Sequence, residues 1–135
     1  LSDPKFISDK QWNMVNIDIA GAYRKFNVET VVNEVWVAVI DSGVQMDHPD
    51  LKGSVLRNYS VDVTQNNKKL IECPDKEAVK GQYTHGHGTM VAGVIAARAN
   101  NGKFGAGVAA AATEKNFGVV CKIMAIKAVQ GVKRY

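Results

Sequence analysis

The hydrophobic pattern changes period several times along the chain, and each change marks an element. The first 16 residues mix polar and apolar positions, with Pro4, Phe6 and Trp12 as the expected anchors over a larger body. From Ile17 to Phe26 the apolar residues Ile19, Ala22, Tyr23 and Phe26 fall on one face at 3.6-residue spacing, which predicts a short helix. Val35–Ile40 is a short, continuous, β-branched apolar run that ends in the turn signal Asp41-Ser42-Gly43; it predicts a buried parallel strand. A second strand is expected near Tyr59–Val63, and the polar stretch Thr64–Gln82 reads as a long surface loop. Gly88–Ala99 has almost no polar face, so it predicts a helix buried all round, stopped by Asn100-Asn101-Gly102. Lys122–Val129 reads as another buried strand. Strand, helix, strand is the rhythm of an α/β domain with a parallel sheet.

Composition adds limits. With 135 residues and 46% hydrophobic content, one domain with a packed core is expected. The net charge of +4 comes from scattered basic residues, densest at Lys133-Arg134, with no basic stripe or recognition motif, so no nucleic-acid partner is expected. No apolar run approaches the roughly 18 residues of a membrane span. Cys73 and Cys121 allow one disulfide or two thiols and match no metal-binding spacing.

Two motifs carry candidate chemistry. Asp41 stands at the carboxyl end of a predicted buried strand, where ligands bind in open α/β sheets. A carboxylate there needs donors, which Ser42 and the backbone N–H groups of a glycine turn could supply. Taken alone, the tripeptide is more readily read as a loop-capping turn. The second motif, His85–Gly93 (HGHGTMVAG), sets His87 at the entrance of the predicted helix, where the helix N-terminus disfavours the imidazolium. Gly88 and Gly93 suggest close approach, to a substrate on one side and to the sheet on the other. Taken together, the motifs have a plain use. Asp41 would accept the imidazole Nδ1 proton and fix the tautomer, leaving Nε2 to take the proton of an attacking hydroxyl. A metallohydrolase built on His85 and His87 with Asp41, Asp47 or His48 is a weaker alternative, because it leaves the glycine turn and the buried helix unexplained.

These residues resemble those of the subtilisin family. VWVAVIDSGVQMDHPDL (Val35–Leu51) is similar to its aspartate motif, D-[ST]-G followed by H-P-D-L, and HGTMVAG (His87–Gly93) to its histidine motif, H-G-T-x-V-A-G. ANNG (Ala99–Gly102), Gly107-Val108-Ala109 and IMAIKA (Ile123–Ala128) continue the pattern in order. The resemblance implies a three-layer αβα fold with a mostly parallel sheet, of which residues 1–135 form the N-terminal part. It implies a serine-type endopeptidase acting on polypeptides, monomeric when complete and secreted or in the secretory pathway. Asp41 and His87 would be two members of its triad; His85 falls at a variable position. It also implies a structural calcium ion held by Asp3, Asp50 and Asn101 with backbone oxygens near Lys103 and Gly105, an oxygen-only set that suits a hard cation.

The opening Asp3-Pro4-Lys5-Phe6 and Gln11-Trp12 resemble the mature start of the kexin/furin branch, which usually carries Asp-Asp-Gly where this chain has Asp41-Ser42-Gly43. Paired-basic specificity is therefore not implied. Roughly ten additional residues, about Ala111–Val120, separate the Gly-Val-Ala element from the last strand. The family's oxyanion-hole asparagine and nucleophilic serine belong beyond Tyr135, and Ser2, Ser8, Ser42, Ser54 and Ser60 lie in no nucleophile context. The chain alone is thus expected to be inactive. A pseudoprotease or interaction module of the same fold is the alternative.

Overall fold

The computed structural model describes residues 2–8, 10–25, 33–64, 86–110 and 119–129. Expectations for Cys73, His85, Phe26, the polar loop beyond Thr64, most of the 111–120 stretch and the residues from 130 onward lie outside the described residues.

Three short helices, α1 (Pro4–Ile7), α2 (Trp12–Asn16) and α3 (Ile19–Lys25), precede strand β1 (Asn33–Asp41). A 3₁₀ turn (Arg57–Tyr59) leads into the two-residue strand β2 (Val61–Asp62). Helix α4 (His87–Ala96), a second 3₁₀ turn (Val108–Ala110) and strand β3 (Val119–Lys127) complete the order. The sheet runs β1-β3-β2, parallel throughout. The predicted parallel α/β arrangement is therefore present.

The register sets the functional end of the sheet. β1 pairs with β3 from Asn33↔Val119 to Asp41↔Lys127, and β2 adds Asp62↔Lys127. Asp41, Lys127 and Asp62 thus stand level at the carboxyl ends of three strands. Asp41 O accepts the Ala128 N–H at 2.9 Å, so β1 and β3 stay joined just past that level. Side chains alternate across a strand. Val39 of β1, with Cys121, Ile123 and Ala125 of β3, lies in the core with Val44, Met46, Leu51 and Ala92 and Ala96 of α4. The residues between them on β1, Trp36, Ala38 and Ile40, are exposed. The small Ala92 and Ala96 bring the α4 backbone close to the sheet.

Several elements differ from the sequence expectation. α4 is not covered all round: Met90 is 61% exposed, whereas Gly88, Ala92 and Ala96 are buried and Val91 and Ile95 pack partly against the core. The helix also stops at Ala96 rather than Ala99. Ala97 turns to extended geometry (φ −60°, ψ 138°), Arg98 N–H donates to Asp50 O at 2.9 Å, and Gly107 N–H donates to Ala97 O at 2.9 Å. Tertiary hydrogen bonds override the helical preference of the alanines there.

At the front of the chain Trp12 is 67% exposed, and the buried anchors are Met14 and Asp3. α3 begins at Ile19 because Asp18, at φ 47°, caps it: Asp18 Oδ1 accepts Gly21 N–H at 3.0 Å. Of the predicted apolar face Ile19 is buried and Ala22 is exposed, with Gly21 buried beside them.

Candidate active site

β1 delivers Asp41 and α4 delivers His87. The chain leaves β1 through Gly43 (φ 111°) and enters α4 through Gly86 (φ 70°), both in conformations that suit glycine. His87 is the first helical residue, and its Nδ1 lies 2.8 Å from Asp41 Oδ1 and 2.9 Å from Oδ2. The ring is thereby held on the carboxylate by one nitrogen. Nε2 is the nitrogen not engaged with Asp41, on a side chain that is 64% exposed.

The carboxylate is tuned toward its charged form. Burial pushes the Asp41 pKa up, but the Ser42 N–H (2.7 Å to Oδ1), the His87 hydrogen bond and charge, and the Ser42 side chain together hold it below its ordinary value of 3.8. An ionised Asp41 is what favours a proton on His87 Nδ1.

Two further side chains tie the turn to the helix. Ser42 Oγ accepts the Gly88 N–H at 3.1 Å, and Thr89 Oγ1 accepts the Gln45 N–H at 2.9 Å. Gly88 is required for this approach, since a Cβ there would meet Gly43 O at 2.1 Å. The close neighbour of Gly88 is thus the strand-end turn. Gly93, expected to touch the sheet, has nothing within 4 Å of a Cβ built on it and lines an open cleft of about 280 Å³ with Met90, Val94, His48 and Phe104. Ser42 and Thr89 lie inside the recognised motifs, but which backbone groups they serve is visible only in three dimensions.

The sequence-predicted metal residues also converge, beyond the opposite end of α4. Asp3 (0% exposed) accepts N–H groups from Asn100 (2.6 Å) and Asn101 (3.0 Å). Asp50 (2% exposed) accepts from Asn101 Nδ2 (2.9 Å) and Gly105 N–H (3.1 Å). Among the described residues neither carboxylate has an ion-pair partner. Two buried carboxylates and a side-chain amide are oxygen-bearing groups of the type that suits a hard divalent cation. One adjustment is needed. Asn101 presents its NH₂ to Asp50 and gives its Oδ1 to Lys103 N–H at 2.9 Å, so coordination by that oxygen requires the amide to turn over. Among the described residues no group of three or more His, Cys, Asp or Glu side chains is placed to hold a metal, and His87 Nδ1 is committed to Asp41.

Comparisons with known proteins place the chain in a family. Residues 32–119 match the subtilase family, a span that includes both Asp41 and His87. The chain belongs to the subtilase family. It is 34% identical over 119 residues to furin of Mus musculus, covering 80% of this chain and 13% of that protein. It is 34% identical over 116 residues to proprotein convertase subtilisin/kexin type 4 of Rattus norvegicus (80% and 15%). It is 32% identical over 100 residues to halolysin of Haloferax mediterranei (74% and 17%). The chain thus spans less than a fifth of the length of these relatives. Among the described residues no helix is long and apolar enough to cross a membrane.

Proposed function

We propose that the chain supplies the general-base half of a serine endopeptidase active site. The observation that carries this reading is the bond from His87 Nδ1 to both oxygens of Asp41 at the carboxyl end of a parallel sheet. In the proposed cycle Asp41 holds the Nδ1–H tautomer. Nε2 takes the proton of a serine hydroxyl as that oxygen attacks a peptide carbonyl, and then returns the proton to the departing amine. Asp41 stays ionised and stabilises the transient imidazolium. The nucleophile and the oxyanion donor come from sequence beyond Tyr135, and residues 1–135 alone are inactive. Reading the coding sequence past Tyr135 tests this: an in-frame serine motif supports the peptidase, while a stop codon leaves a catalytically silent member of the fold. The family resemblance also supports a polypeptide substrate, a monomeric enzyme and a secretory route.

A calcium ion at Asp3, Asp50 and Asn101 is the second part of the reading. Bound there, it would neutralise two buried carboxylates and fasten the N-terminal segment to the loop after α4, a structural role remote from the proton transfer. Thermal unfolding in calcium against a chelator checks it. A midpoint that rises with calcium, and does so less in Asp50→Asn, supports the site; equal midpoints contradict it.

A further inference from the structure

The first turn of α4 is capped by a residue that the helix does not contain. Its N-cap position is Gly86, which has no side chain to accept a hydrogen bond. The opening N–H groups of a helix have no intrahelical partner, and a cap ordinarily accepts from the second or third helical residue. The second helical residue is Gly88, whose N–H donates to Ser42 Oγ across 46 positions of sequence. The third is Thr89, whose hydroxyl accepts the N–H of Gln45 in the opposite direction. These two bonds join the same pair of segments. Ser42 directly follows Asp41, and Gly88 directly follows His87.

We propose that Ser42 and Thr89 are positioning residues that hold the His87 ring in register with the Asp41 carboxylate. The need for them follows from the site. His87 is exposed, begins a helix and is flanked by glycines, so little else in its own segment fixes its backbone. Without the cross-bonds the first turn frays, and the ring leaves the 2.8–2.9 Å arrangement with both Asp41 oxygens. Ser42 is buried, so its hydroxyl is positioned by packing and not by solvent. The consequence for catalysis rests on the peptidase reading above, but the consequence for the Asp41–His87 bond does not.

The test uses the full chain with histidine labelled for nitrogen-15 NMR. The wild-type His87 Nδ1–H is expected as a resonance protected from water. In Ser42→Ala and Thr89→Val its exchange is expected to quicken by about tenfold, as the loss of one cap implies, while Ser42→Thr and Thr89→Ser, which keep a hydroxyl, restore protection. Thermal midpoints are read alongside. Folded Ala and Val variants with wild-type protection overturn the proposal, as does a hydroxyl-bearing replacement that folds and fails to restore it. Should Ser42→Ala not fold, the Thr89 pair gives the same decision. In the complete protein the Ala and Val variants are expected to lower kcat about tenfold with KM unchanged. Absence of peptidase activity in the wild type, with the NMR response intact, would overturn the peptidase reading and leave the positioning role standing.

Discussion

The two polar clusters associated with α4 use the same residue types for opposite ends. Beyond its C-terminal end, Asp3 and Asp50 are sealed from solvent, and all four of their oxygens accept N–H groups from Asn100, Asn101 and Gly105. At its N-terminal end Asp41 is hydrogen-bonded to the imidazole of His87, whose ring is largely exposed. A carboxylate whose every oxygen is tied by neighbours fixes architecture, because removing it orphans buried donors. A carboxylate that holds one exposed imidazole by Nδ1 leaves the other ring nitrogen unengaged with it. The first arrangement resists change; the second is the one that the proposed peptidase would use to exchange a proton.

That contrast can be broken or sharpened by substitution. The largest effect is expected from Asp41→Asn in the complete protein, because an amide in that place selects the wrong imidazole tautomer. Steady-state kinetics should show kcat reduced on the order of 10⁴-fold. Asp50→Ala should move stability instead. It leaves the Asn101 amide and the Gly105 N–H without their buried acceptor, at a cost of about 3 kcal/mol by denaturant unfolding. Gly88→Ala is expected to lower stability and disturb the Asp41–His87 end together. The new methyl must push Gly43 O away from 2.1 Å, costing about 2 kcal/mol and moving His87 off Asp41.

The smallest effect is one of pH. Since Asp41 titrates below 3.8 when folded, its contribution to stability is fully present above that value. It is lost only as pH falls through the depressed folded value. Acid unfolding of Asp41→Asn should therefore lack that component, which paired wild-type and variant titrations will show.

How much of this was written in the sequence differs by element. β1 and α4 were legible because each is a continuous apolar run bounded by turn residues, and Asp41 and His87 because the motifs put them at the ends of those runs. The end of α4 was not legible: Ala97–Ala99 favour helix locally, and only the pull of Asp50 O and Gly107 N–H explains their extended path. Nor was the start of α3 at Ile19 rather than Ile17, which depends on a capping bond from Asp18. Trp12 looked like a core anchor by residue type, yet Met14, two positions on, took the interior. The convergence of Asp3, Asp50 and Asn101 came from family resemblance, since nothing in the spacing of 3, 50 and 101 signals contact. The crossed bonds of Ser42 and Thr89 were hidden for the same reason.

In the proposed peptidase Asp41 and His87 activate a serine nucleophile carried by sequence beyond Tyr135. Covalent labelling of the complete protein with a serine-directed fluorophosphonate tests it most directly. Rapid labelling of a serine beyond Tyr135 is expected, suppressed in His87→Ala, with no labelling of residues 1–135 alone. Labelling that is equal in the wild type and in His87→Ala would contradict it.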